Sequence, residues 1–177
     1  SFSKLLDQKA LNVPSRQHIM DDEYYKKIEA IQFTMNHDDG NSVEDIEKSD
    51  IILLGVSRTS KTPTSIYLAN RGFKTLNIPL VLDQKIPDLL KNESSKFCTI
   101  GLVADAERLS EIRKTRANTN QSTDLNLYTD VDKIEDEVNK SKAMFKKYNW
   151  PMIDVTRRSV EETAASIIKI YEIKKNK

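Results

Sequence analysis

Ser49-Asp50-Ile51-Ile52-Leu53-Leu54-Gly55-Val56-Ser57-Arg58-Thr59-Ser60-Lys61-Thr62-Pro63 is the stretch from which the fold is read. The uninterrupted apolar run Ile51 to Leu54 describes a parallel strand covered on both faces. Gly55 through Thr62 fits the phosphate-loop pattern G-x-x-x-x-G-K-[ST], with Ser60 in place of the second glycine. In such a loop the backbone N–H groups of Val56, Ser57, Arg58, Thr59 and Ser60 wrap a phosphate, and the following helix adds its positive dipole end. Lys61 then reaches the phosphates, and the Thr62 hydroxyl is placed to hold Mg²⁺. Ser60 is small enough to keep this geometry, although it takes a positive φ less freely than glycine. Pro63 suits the first helical turn, where a missing N–H costs little.

Outward from this motif, short apolar runs alternate with helical patterns. Residues 63–71 read as a helix closed by Gly72. Lys74 to Val81 reads as a second strand shortened by Pro79, and Phe97 to Val103 as a third. Asp105 can cap a helix running to Arg116. A longer helix over 131–148 carries Val131, Ile134, Val138, Phe145 and Tyr148 at helical spacing. Met152 to Val155 makes a fourth strand. Ser159 and Glu162 have capping-box spacing before a final helix with Val160, Ala164, Ile167, Ile168 and Tyr171 on one face. Upstream, residues 1–20 read as irregular. Residues 22–36 place Tyr24, Ile28, Ile31 and Met35 on one helical stripe, and Val43 to Lys48 suits a short helix. The polar stretch 116–126 reads as a loop. Strands and helices this closely alternated imply βαβ units. The expected fold is α/β, a P-loop-type parallel sheet flanked by helices, with an N-terminal helical arm. Residues 1–49 form the arm and its helix, and 50–177 the P-loop-like α/β domain.

Composition agrees. The chain has 177 residues, 38% of them hydrophobic and 31% charged, which suits an ordinary globular domain with a real core. Lys+Arg number 28 against 27 Asp+Glu, so no general nucleic-acid footprint is present. No apolar run approaches the ~20 residues of a membrane span, and no secretory leader is evident. The single cysteine precludes an internal disulfide, so a cytoplasmic protein is the default. A homo-oligomer is compatible with the sequence.

A second polar cluster, His37-Asp38-Asp39-Gly40, precedes the first strand. Adjacent carboxylates beside a histidine suit a general base or an Mg²⁺ site near transferred phosphate. Asp-Asp-Gly is equally ordinary helix-terminating turn chemistry. Arg113 and Arg116 follow the third strand, and Arg157 and Arg158 the fourth. Ligands of open α/β sheets bind at the carboxyl ends of strands, so these arginines are placed to reach phosphate or a protein partner, or to serve as solvated helix-end charges. Cys98 reads as a buried inert thiol and Trp150 as core packing. Two histidines and one cysteine make a zinc site a poor fit.

GVSRTSKTP (55–63) after SDIILL, HDDG (37–40), IGLVADAERLSEIRKTR (100–116) and WPMIDVTRRSVEETAASI (150–167) together resemble the pyruvate, phosphate dikinase regulatory protein family. Its sister branch acts on phosphoenolpyruvate synthase. The resemblance runs from about Ala10 to the end, and Ser60 is the residue the family carries there. It implies a bifunctional protein kinase and phosphorylase. Phosphate passes from ADP to a threonine near the target's catalytic histidine, inactivating it, and is removed by inorganic phosphate with release of pyrophosphate. Mapped here, the resemblance implies that Gly55 through Thr62 hold the ADP phosphates, that Lys61 and Arg58 serve the transferring group, and that Asp38 or Asp39 activates the threonine, with His37 beside them as a further candidate. The family carries a substantial region ahead of the part matched, so residues 1–49 resemble the remnant of a longer N-terminal region. Two other classes fit the loop: a small-molecule P-loop kinase using ATP, and a non-catalytic nucleotide-binding module.

Overall fold

A computed structural model describes residues 14–38, 43–81, 85–117 and 125–177. The elements run α1 (Pro14–Asn36), a 3₁₀ segment (Val43–Lys48), β1 (Ile51–Gly55), α2 (Lys61–Asn70), β2 (Thr75–Pro79), α3 (Asp88–Asn92), β3 (Thr99–Val103), α4 (Ala106–Ala117), α5 (Leu125–Thr129), α6 (Val131–Lys147), β4 (Met152–Asp154) and α7 (Val160–Lys175). The strands form one all-parallel sheet in the order β2-β1-β3-β4. The α/β class and the flanked parallel sheet expected from the sequence are both present.

β1 shows why its sequence is apolar without a break. Ile52 and Leu54 face one core with Leu76, Ile78, Phe145 and Trp150, while Ile51 and Leu53 face another with Leu68, Ile100, Leu102 and Ile167. Every β1 residue is buried. α6 closes the first face through Phe145, and α2 and α7 close the second through Leu68, Ala164 and Ile167. Complete burial of a Leu or Ile contributes about 1.5–3 kcal/mol, so these two layers supply most of the driving force.

Local chemistry fixes the helix ends. α2 stops in a Schellman arrangement: Gly72, at φ 91°, donates to the Ala69 carbonyl, and Phe73 donates to that of Leu68. Asp105 Oδ1 accepts from the N–H groups of Glu107 and Arg108 at the start of α4. Asp130 Oδ1 caps α6, and Ser159 caps α7 by accepting from Glu162 N–H at 3.1 Å.

Three expectations need correction. α1 starts at Pro14, not near residue 22, because proline is well accommodated in a first turn. Its buried face is also rotated from the Tyr24–Met35 stripe: Ala30, Thr34 and His37 are buried, whereas Tyr24 and Met35 are 60% and 68% exposed. The reason lies in β2, an edge strand with outward N–H groups to satisfy. Thr34 Oγ1 accepts from Thr75 N–H, and the His37 carbonyl accepts from Asn77 N–H. Polar acceptors, together with the packing of Ala30 and Phe33, orient this helix. Finally, α5 takes over the end of the stretch read as a loop, since Leu125 begins a single helical turn.

Candidate functional site

The phosphate loop leaves β1 at the carboxyl end of the sheet, beside β3. The chain runs from β1 to one side and returns to β3 on the other, the switch point where α/β sheets bind ligands. Gly55 is required by close approach. A Cβ there would lie 2.5 Å from Thr59 Oγ1 and 2.8 Å from the Leu102 carbonyl oxygen.

The loop holds its shape from within. The Val56 carbonyl accepts from Thr59 Oγ1 and from Lys61 Nζ, each at 2.9 Å. Lys61 is only 6% exposed, so its ammonium is held inside the loop. Ser60 adopts φ 59° and ψ 27°, the left-handed conformation that a glycine would take freely, and caps α2 without a side-chain hydrogen bond. Arg58 is also left-handed at φ 73°, which the sequence did not suggest. Two such non-glycine residues store strain of about 1–3 kcal/mol each, an observation that points toward function.

A cavity of about 390 Å³ opens over this loop, lined by Ser57, Arg58, Ser60, Lys61 and Thr62 together with Asp38 and Arg116. Asp38 belongs here because α1 ends along the edge of β2. Its Oδ1 accepts from Thr62 Oγ1 at 3.1 Å and from Asn77 Nδ2 at 2.6 Å. Asn77 Nδ2 also lies 3.4 Å from Thr62 Oγ1. Asn77 is 1% exposed, and its Oδ1 has no hydrogen-bond partner among the described residues.

The other expected residues fall as follows. The His37 ring stacks on Phe33 and turns from the cavity: Nδ1 faces the Phe33 carbonyl at 2.6 Å and Nε2 faces Asp45 Oδ2 at 3.0 Å. Lys48 and His37 hold the Asp45 carboxyl below its usual range, Lys48 contributing more. Asp39 and Gly40 lie outside the described residues. Arg113 does not line the cavity. It is 1% exposed, and its guanidinium donates to the Ser57 and Tyr128 carbonyls and to Glu137. Arg158 donates to Ser166 away from the cavity. Burial pushes the Cys98 thiol pKa up, as an inert thiol requires, and Trp150 is buried against Tyr148. The sequence reading missed Asn77, although an asparagine inside the apolar run Leu76 to Val81 is a visible signal. It also missed Tyr128, whose hydroxyl meets Ser57 Oγ at 2.9 Å.

An all-parallel sheet flanked by helices, with a strand–loop–helix turn at its switch point, defines the class of P-loop-like α/β folds. Within that class the chain belongs to the kinase/pyrophosphorylase family, which matches residues 1–168. It is similar to a protein of Pelagibacter ubique provisionally named pyruvate, phosphate dikinase regulatory protein: 64% identical over 176 residues, covering 99% of this chain and 64% of the relative. Proteins of the same provisional name are 51% identical in Rhizobium meliloti, covering 93% of this chain and 62% of the relative, and 49% in Chelativorans sp., covering 87% and 56%. The chain thus spans about three-fifths of the length of these relatives. Among the described residues no helix is long and apolar enough to cross a membrane.

Proposed function

We propose that this chain carries the phosphotransfer site of a bifunctional regulator of pyruvate, phosphate dikinase, an ADP-dependent threonine kinase and a phosphate-dependent phosphorylase. The observation that carries this reading is the Asp38 carboxylate held against Thr62 at the mouth of the phosphate loop. A carboxylate there is placed to take a proton from an acceptor hydroxyl, the step that transfer to threonine adds to nucleotide binding.

In the forward direction the loop amides and Lys61 hold the transferring phosphoryl group and stabilise its charge. The threonine oxygen attacks the β-phosphorus of ADP, the bond to the bridging oxygen breaks, AMP leaves, and Asp38 takes the hydroxyl proton. In the reverse direction an oxygen of inorganic phosphate attacks phosphothreonine, pyrophosphate forms, and the threonine oxygen recovers a proton. The Thr62 hydroxyl and the Asp38 carboxylate are hard oxygen donors 3.1 Å apart, a pair that fits Mg²⁺. When bound there, the ion would neutralise charge on the phosphate oxygens.

The test is transfer itself. Incubated with phosphohistidine-bearing dikinase and ADP, the protein should place phosphate on a threonine of the dikinase, and inorganic phosphate should remove it as pyrophosphate. Transfer from ATP to small molecules, or ADP binding with no transfer, would overturn the reading.

A further inference from the structure

Behind Asp38 stands a clamp that does not line the cavity. The His37 ring folds back over its own helical turn: Nδ1 donates to the Phe33 carbonyl at 2.6 Å, and the two rings stack with centroids 4.0 Å apart. Its other nitrogen, Nε2, meets Asp45 Oδ2 at 3.0 Å. Asp45 uses its second oxygen elsewhere, with Oδ1 2.7 Å from Lys48 Nζ. One carboxylate thus joins the end of α1 to the 3₁₀ segment. That segment is itself fixed. Ile46 is buried in the core with Ile52, Leu54 and Phe145, and Phe33 packs against the same cluster. The Ser49 hydroxyl donates to the Ile46 carbonyl at 2.6 Å. The segment kinks at Asp45, at φ −95° and ψ 22°, a sparsely populated backbone region in which functional residues recur.

We propose that Asp45 is a positioning residue which, through the His37 ring, sets the Asp38 carboxylate against Thr62. The inference rests on the phosphotransfer reading above and deepens it, by adding a group that lies outside the cavity. Residue 37 is pinned at its backbone as well, where its carbonyl accepts from Asn77 N–H at 3.3 Å, and Asn77 Nδ2 in turn donates to Asp38 Oδ1 at 2.6 Å. The Asp38 side chain has only two torsions of its own, so where its oxygens fall depends on where the preceding residue is held. A clamp that only stabilised the fold would leave the chemistry of the folded molecules unchanged. A positioning clamp acts on one pair of atoms, and a reacting group displaced by about 1 Å can lose about 10²-fold in rate.

Crystal structures and transfer kinetics of Asp45→Ala and Asp45→Asn, alone and combined with Asp38→Asn, test this. In Asp45→Ala the Asp38 carboxylate should leave Thr62, with Oδ1 more than about 3.5 Å from Oγ1. Its kcat for threonine transfer should fall about 10–100-fold while KM for ADP stays within about 2-fold of wild type. Asp45→Asn still offers His37 an oxygen and should recover most of the rate. Added to Asp38→Asn, Asp45→Ala should cost little more, since the group it positions is already gone. Losses that multiply in the double variant would overturn the proposal, because Asp45 would then act by another route. An Asp38–Thr62 contact unchanged in Asp45→Ala would overturn it too. Should Asp45→Ala not fold, His37→Phe keeps a ring on Phe33 without the polar contacts, and it must show the same displacement and the same split between kcat and KM. A displaced carboxylate in a protein whose wild type transfers no phosphate to threonine would uphold the positioning and sink the kinase reading alone.

Discussion

The Thr62 hydroxyl donates to Asp38 Oδ1 at 3.1 Å, joining the phosphate loop to the end of a helix that precedes it by a whole strand. The contact exists because α1 covers the open edge of β2: once Thr34 and the His37 carbonyl have satisfied the N–H groups of Thr75 and Asn77, the next residue can only face Thr62. Asp38→Asn keeps a hydrogen-bonding side chain of the same shape and removes the proton acceptor. Threonine transfer should fall by about 10²–10⁴, with ADP affinity largely retained. A small loss equal to that of Asp39→Asn would return the segment to turn chemistry.

Lys61 is the loop's buried cation. Lys61→Ala should lower both transfer and phosphorolysis by at least about 10²-fold, since both proceed through the same transferring phosphoryl group. Circular dichroism should show the fold retained. Loss of one direction only would mean that the two reactions use different sites.

Gly55 sits where no side chain fits. Gly55→Ala sets a methyl group against Thr59 Oγ1 at 2.5 Å and the Leu102 carbonyl oxygen at 2.8 Å, so the loop must shift away from β3. Overpacking of this kind costs about 1–3 kcal/mol, read as a lowered urea midpoint. ADP affinity should fall with it, because Thr59 also braces the Val56 carbonyl.

The loop and the sheet were legible because each residue there answers a local demand: an apolar run for a two-sided strand, a glycine for close approach, a lysine for phosphate. Asp38 could be named as a candidate, but its contact with Thr62 follows from how α1 meets β2, across distant residues. The Tyr24–Met35 stripe misled for the same reason, as the buried face of α1 is set by two hydrogen bonds to a strand edge as well as by Ala30 and Phe33. Arg113 looked like its neighbour Arg116, yet one turns inward to Glu137 and the other lines the cavity, a difference no local spacing encodes.

At the far edge of the crevice, Asp154 Oδ1 accepts from the Thr156 hydroxyl at 2.5 Å and from its N–H at 2.9 Å. The hydroxyl bond above all holds the Asp154 carboxyl below its ordinary value of 3.8. A carboxyl whose folded pKa is depressed adds stability that is fully present above the unfolded value and lost as pH falls through the folded one. Wild type should therefore exceed Asp154→Asn in stability by a constant amount above about pH 5, and the gap should close below pH 4. Urea titrations at several pH values measure it, and a gap independent of pH would show that the carboxylate charge plays no part.

Arg113 braces the loop from behind. Its guanidinium lies over the Tyr128 ring at 4.8 Å, and Nη2 donates to the Ser57 carbonyl at 3.2 Å and to Glu137 at 3.0 Å. A trans peptide points its C=O and N–H in opposite directions, so pinning the Ser57 carbonyl toward Arg113 turns the Arg58 N–H toward the cavity. Arg113→Met preserves length and apolar volume but leaves Glu137 and two carbonyls without their donor. The cost should be on the order of 3 kcal/mol, and Arg113→Lys should recover little because an ammonium cannot reproduce the fork. Glu137→Gln separates the ion pair from the loop brace. It should lose stability with ADP affinity nearly intact, whereas Arg113→Met should lose both. If the two variants weaken ADP binding equally, the brace acts through overall stability and the loop amides are oriented by other contacts.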